Sequence, residues 1–190
     1  MDALLSINDI LYNSFISLLI ISFLDKLLCL IFGQKARWFQ LHAATNAYTL
    51  YLIMDDVYDI MLDPYKSMTE YGDRAAGYVI IMLHIYHCLF FRLNRMDYIH
   101  HILSVFLCGI PGQIFHKSKL INLWCFFSSG LPGGISYFLL ILVKHGTLSK
   151  IKEKEITAWL NAYLRSPGIV FVASLEYMKM MSNIEPKENI

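Results

Sequence analysis

Apolar residues in this chain come in long runs separated by short polar connections, without the strict alternation of half-buried strands. A helix needs about 20 largely apolar residues to cross the hydrocarbon core of a bilayer. About six segments approach that length: Ile10 to Phe32, Trp38 to Ile60, Ala75 to Phe91, Tyr98 to Phe115, Leu120 to Val143 and Ile156 to Met181. The expected fold is therefore all-α, a polytopic bundle of transmembrane helices. Residues that disfavour a regular helix interrupt several of the segments. Pro111 and Gly112 lie near the end of the fourth, and Gly130, Pro132, Gly133 and Gly134 cannot together sustain a regular helix in the fifth. The fifth is expected to be kinked or broken and packed closely on its neighbours, the alternative being a loop that would raise the span count to seven. Arg165, Pro167 and Gly168 interrupt the last segment, so that residues before Ser166 are expected along the interface.

Composition agrees with the pattern. Of 190 residues, 56% are hydrophobic and 16% charged, against about 45–50% and about 25% in soluble domains. A net charge of +1 gives no argument for a nucleic-acid partner. The cysteines, Cys29, Cys88, Cys108 and Cys125, each fall inside an apolar run and read as buried thiols. The amino-terminal MDALLSINDILYNSF lacks a basic n-region, so a retained first span is expected over 1–34, followed by a membrane domain over 35–182 and a polar tail over 183–190. Lys and Arg gather in the odd connections and acids after the second span. By the positive-inside rule this places the odd connections in the cytosol, although Lys117 and Lys119 point the other way.

The chemistry concentrates in HIYHCLFFRLNRMDYIHH, His84 to His101, which holds four of the seven histidines. Imidazole inside a membrane must face a packed interior or a watery cavity, which makes such residues functional candidates. His84 and His87 share a helical face, and Asp97 sits three and four residues before His100 and His101, where a carboxylate can orient a ring and raise its basicity. The competing reading is a set of interior histidines without chemistry. Trp38, His42 and Asn46 recur at i, i+4, i+8 and also share a face. The acids Asp55, Asp56 and Asp59 read chiefly as a solvated helix end, with cation or amine binding as the alternative.

RWFQLHAATNAY, the His84 to His101 stretch with its flanks, and FFSSGLPGGISYFLLILVKHG resemble, in that order, the TLC-domain family of polytopic membrane proteins, which includes the ceramide synthases. The likeness covers about Lys35 to Tyr177. It implies a function in lipid metabolism or homeostasis, sphingolipid chemistry included, in the endoplasmic reticulum or another endomembrane. Carried over, it makes His100, His101 and Asp97 catalytic in acyl transfer from acyl-coenzyme A, and Trp38, His42, Asn46, His84 and His87 substrate-binding. Neutral imidazole can attack a thioester or take a proton from an amine. In place of the polar and acidic series that follows the histidine pair in ceramide synthases, this chain continues ILSVFLCGIPGQIFHK. That widens the expectation to another acyl transfer, or to a noncatalytic lipid-binding scaffold or accessory subunit of a membrane complex.

The expected partners are membrane lipid and acyl-coenzyme A as substrate, with a homo-oligomer or a complex partner also open. No metal or other cofactor is expected: a di-iron site of the desaturase kind needs extended histidine boxes, whereas His42, His116 and His145 are isolated and no ExxH or HxxxH box occurs.

Overall fold

Helix boundaries in this chain follow local backbone chemistry. Gly33, at φ +74°, closes the first helix through its N–H to the Cys29 carbonyl. Gly146, at φ +80°, does the same before a helix that Ser149 caps by accepting from the Lys152 N–H. The computed structural model describes residues 7–186. The start of the unit expected over 1–34 and the end of the tail expected over 183–190 lie outside the described residues.

The helices are α1 (Ile7–Phe32), α2 (Arg37–Leu62), α3 (Pro64–Met68), α4 (Ala75–Phe90), α5 (Arg95–Phe115), α6 (Leu120–His145) and α7 (residues 150–181). Among the described residues there is no strand, only an isolated bridge between Tyr71 and Ser118. The all-α expectation holds. Three helices, α1, α5 and α6, are long and apolar enough to cross a membrane; α4 is apolar but shorter.

The central helix is α2, which packs on α1, α4 and α6. Its buried stripe is polar as well as apolar: Gln40, His42, Thr45, Asn46 and Thr49 are buried, continuing into Ile53, Val57 and Ile60. On α1, by contrast, Phe15, Phe23 and Leu30 are exposed, and on α5 so are Phe106 and Leu107. Polar side chains buried beside the apolar core, with large apolar ones exposed, depart from the arrangement of a water-soluble bundle.

The residues expected to break helices instead widen them. The stretches Ile102–Gly109 in α5, Phe126–Gly130 in α6 and Asn161–Arg165 in α7 are π-helical, and each ends just before a proline: Pro111, Pro132 and Pro167. Proline has no N–H and its ring clashes with the carbonyl four residues back, so a wider turn ahead of it lets the helix continue. A glycine follows each proline and takes a close approach. An added Cβ at Gly133 would lie 3.1 Å from the Asn46 amide, and one at Gly168 would strike the Phe127 ring. The fifth segment is thus one helix with a wide turn, not two joined by a loop. Nor does the last segment part at Ser166, since α7 runs through it.

Two polar clusters tie the helices. In α1, Asp25 is 3% exposed and accepts two hydrogen bonds from Arg37, at 2.9 Å and 2.5 Å, and one from the Tyr86 hydroxyl at 2.8 Å. The connection after α2 is closed by Lys119, whose Nζ lies 2.6 Å from Asp59, 2.8 Å from Glu70 and 3.7 Å from Asp56. Asn122 adds a 2.6 Å hydrogen bond to Asp56. The acids at the end of α2 therefore hold the chain's own lysine. Burial works against the Lys119 charge, but the hydrogen bonds to Asp59 and Glu70 outweigh it and raise its pKa. The same lysine holds Glu70 below the usual carboxylate value.

Candidate functional site

Five histidines from three helices meet in the bundle. His42 comes from the polar face of α2, His84 and His87 from α4, and His100 and His101 from the first turns of α5. The ring centroids of His42 and His87 lie 4.4 Å apart, those of His87 and His101 5.7 Å, and that of His84 lies 5.0 Å from His101 and 5.3 Å from His100. His42, isolated along the sequence, joins the group in space through His87, while His101 lies between His84, His87 and His100. Trp38 forms one wall, stacked on His87 at 4.1 Å, while Tyr137 stacks on His42 at 3.9 Å. Asn46, one turn after His42, is buried where a Cβ added at Gly133 or Gly134 of α6 would meet it.

The tandem pair divides its duties, because consecutive residues on a helix point about 100° apart. His101 is buried and faces Trp38, His84 and His87. His100 is exposed and lines a cavity of about 550 Å³ together with His84, His42 and Asn46. Ser104 lies 3.3 Å from His100 Nδ1, and His84 Nδ1 is 2.7 Å from the Ile80 carbonyl, which makes it a donor and leaves Nε2 unprotonated. Neither nitrogen of His87 or of His101, nor Nε2 of His42, has a hydrogen-bond partner among the described residues.

Asp97 does not play the part its spacing suggested. Its Oδ2 accepts from the Asn94 N–H at 2.9 Å while the Asn94 side chain accepts from the Asp97 N–H, a capping box at the start of α5. The carboxylate is at the third position of its helix, where the unpaired N–H groups of the first turn compete for it, and His101 donates no hydrogen bond to it.

Several residues here carried no signal in the histidine pattern. Arg37 lies over the Phe91 ring at 4.5 Å, and Phe91 meets both Trp38 and His87 edge-on at 5.1 Å. The Asp25 ion pair thereby supports the aromatic wall of the site. A lone acid in an apolar span demands such a partner, and that was the available clue. The three π-helical turns all face the cavity, giving it Ser104 and Cys108 from α5, Ser128 and Ser129 from α6, and Arg165 from α7. The Arg165 guanidinium binds the Asn161 side chain at 2.6 Å, but its Nε is buried without a partner. Widened turns of this kind recur at functional sites because they re-aim side chains from an otherwise regular helix.

Chemically, the site combines imidazoles and a largely apolar surround with the Arg165 guanidinium, and Glu153 and Lys154 also line the cavity. Unprotonated imidazole nitrogens can take a proton, attack a carbonyl or bind a metal ion. No family model, curated protein or solved structure matches the chain.

Proposed function

We propose that the chain is an integral membrane protein of lipid metabolism or homeostasis, of about six spans in an endomembrane, in which the histidine-lined cavity receives an acyl lipid and catalyses acyl transfer. The observation that carries the proposal is the cavity, with His84 and His100 on its wall and Arg165 opening onto it. Its volume of about 550 Å³ falls within the range of about 300–1,000 Å³ typical of small-molecule sites. The exposed apolar residues of α1 and the buried polar ones of α2, with the resemblance to the TLC-domain family, support the membrane and lipid parts of the reading. In this reading α2, α4 and α7 complete the spans that α1, α5 and α6 begin.

The reaction follows from the groups present. A neutral imidazole of the His100–His101 pair takes the proton of an acceptor amine or hydroxyl as it attacks the thioester carbonyl of acyl-coenzyme A, and returns it to the departing thiolate. His100, on the cavity wall, is the base in contact with substrate. The rings of His84 and His101, 5.3 Å and 5.6 Å away, flank it. The Arg165 guanidinium suits an anionic group of the substrate, a phosphate or a carboxylate.

Turnover of acyl-coenzyme A by the purified protein, with mass spectrometry of copurifying lipid, tests this. Acyl transfer by the parent and its loss in His100→Ala supports the reading. Bound acyl lipid without turnover, in parent and variant alike, would establish the noncatalytic lipid-binding scaffold. That second reading has its own support in Asp97, which caps α5 instead of orienting a histidine.

A further inference from the structure

We infer that His84, His100 and His101 form a binding site for a divalent transition-metal ion of the zinc class. The inference deepens the acyl-transfer reading by naming the cofactor of the same cavity, but ion binding itself stands on the imidazole geometry alone.

One nitrogen from each of the three rings lies within 4.8 Å of the other two. For any three points so spaced, some position lies no more than about 2.8 Å from all of them, against the about 2.0–2.1 Å of a zinc–imidazole bond. Closing that gap takes about 0.7 Å of movement by each ring, a range covered by small rotations about side-chain bonds from staggered wells.

The surroundings of the rings point the same way. A ligating histidine typically donates its second nitrogen to a carbonyl or other acceptor, which fixes the tautomer and the ring plane. His84 does this, with Nδ1 2.7 Å from the Ile80 carbonyl and Nε2 left as the available ligand atom. His100 has Ser104 Oγ at 3.3 Å from Nδ1, which again leaves Nε2. His101 is buried with neither nitrogen hydrogen-bonded, an expensive arrangement that coordination of one nitrogen relieves. The rings do not hydrogen-bond one another, so the cluster is not already satisfied as a set of interior histidines.

The donor set selects the ion. Three neutral imidazoles suit zinc, copper, nickel or iron and disfavour magnesium or calcium, which require oxygen. Three histidines with a remaining position free is a catalytic zinc arrangement, not a structural one. His84 and His100 both line the cavity, so the free position opens onto bound substrate. Held by these three histidines, an ion would supply Lewis acidity toward an acyl carbonyl or a water. With His100 a ligand, it would no longer serve as the base for the acceptor, and the other imidazole on the cavity wall is that of His42.

The test uses the full chain in detergent, purified with a tag free of histidine. Metal content is read by plasma mass spectrometry. After chelation, cobalt(II) is added and its visible absorption, strong for tetrahedral nitrogen sites, is followed. One ion per chain in the parent is expected, with loss of both signals in His84→Ala, His101→Ala and the more exposed His100→Ala, and retention in His116→Ala and His145→Ala. A chelated parent that keeps its elution profile but shows no stoichiometric metal and no cobalt spectrum overturns the inference. So does equal metal in the parent and a well-folded His100→Ala, which marks adventitious binding. Metal without acyl turnover overturns acyl transfer and keeps the ion; turnover by chelated, metal-free protein keeps acyl transfer and overturns the ion as its cofactor.

Discussion

Replacing Asp25 by alanine tests how α1 is attached and what supports the histidine wall. The carboxylate is 4% exposed as a side chain and accepts from Arg37 and Tyr86, so its loss leaves a guanidinium facing an apolar interface. Breaking a buried pair from one side costs about 3–5 kcal/mol. The Arg37 side chain is 32% exposed, so water recovers part of its charge, and the expected loss is about 2–3 kcal/mol. At about 2–4 °C per kcal/mol for a chain of this size, the melting temperature in detergent should fall by about 4–12 °C. Tyr86→Phe removes only one neutral donor and should cost about 0.6 kcal/mol, the average for hydrogen bonds between membrane helices. The discriminating variant is Asp25→Leu with Arg37→Met, which removes both charges and keeps the aliphatic stem over Phe91. It should recover most of the lost stability, because an apolar pair of similar volume replaces a buried ion pair at little or no cost. The assay is a double-mutant cycle read by fluorescence-detected size exclusion after heating. A coupling energy below about 0.5 kcal/mol, with the double variant as unstable as the sum of the singles, would refute the ion pair as the attachment.

Gly168→Ala places a methyl group in the Phe127 ring at the crossing of α7 and α6 and should cost about 1–3 kcal/mol by overpacking, read as lost folded yield in size exclusion. Gly134→Ala should be tolerated, since its Cβ would meet Asn46 at an ordinary 3.4 Å, whereas Gly134→Leu should not; equal yields for the two would refute the close crossing. The Lys119 clasp predicts a pH dependence. Glu70, held below its ordinary 4.5, contributes fully above that value and loses its contribution as pH falls through its folded pKa. Lys119, held above its ordinary 10.5, contributes below that value and fails as pH rises through its folded pKa. The melting-temperature difference between parent and Lys119→Met should therefore stay constant between about pH 5 and 10 and shrink outside it, and a difference that grows in acid would contradict the clasp. Because Asp97 caps α5, Asp97→Asn should cost about 0.5–2 kcal/mol of stability and leave acyl turnover near that of the parent, whereas His100→Ala should abolish turnover at unchanged stability; equal loss of turnover in both would return Asp97 to the reaction.

Much of the architecture is a local property and was legible along the chain. Apolar runs of bilayer length, the capping residue Ser149 and the glycine stops are all decided within a few residues, so helix order and class follow without tertiary information. The polar stripe of α2 was also visible, since Trp38, His42 and Asn46 fall at helical spacing, and a face that is polar in a membrane has to be covered. The Asn94-x-x-Asp97 capping box is equally local, and the N–H groups of the first turn compete with the histidines downstream for the Asp97 carboxylate.

Only the tertiary structure decided which helices meet, because that depends on crossing geometry and not on periodicity. It brought His42 into the group that His84, His87 and His101 share, and it set the His101 face of α5 against those rings and the His100 face against the cavity. It gave Arg37 to Asp25 and Lys119 to the acids of α2, turning charges that looked like connection markers into fasteners. It also aimed the wide turns before Pro111, Pro132 and Pro167 at one cavity. Each proline foretells a local irregularity; that all three face the same space follows from how α5, α6 and α7 pack, and the chain's local chemistry does not encode it.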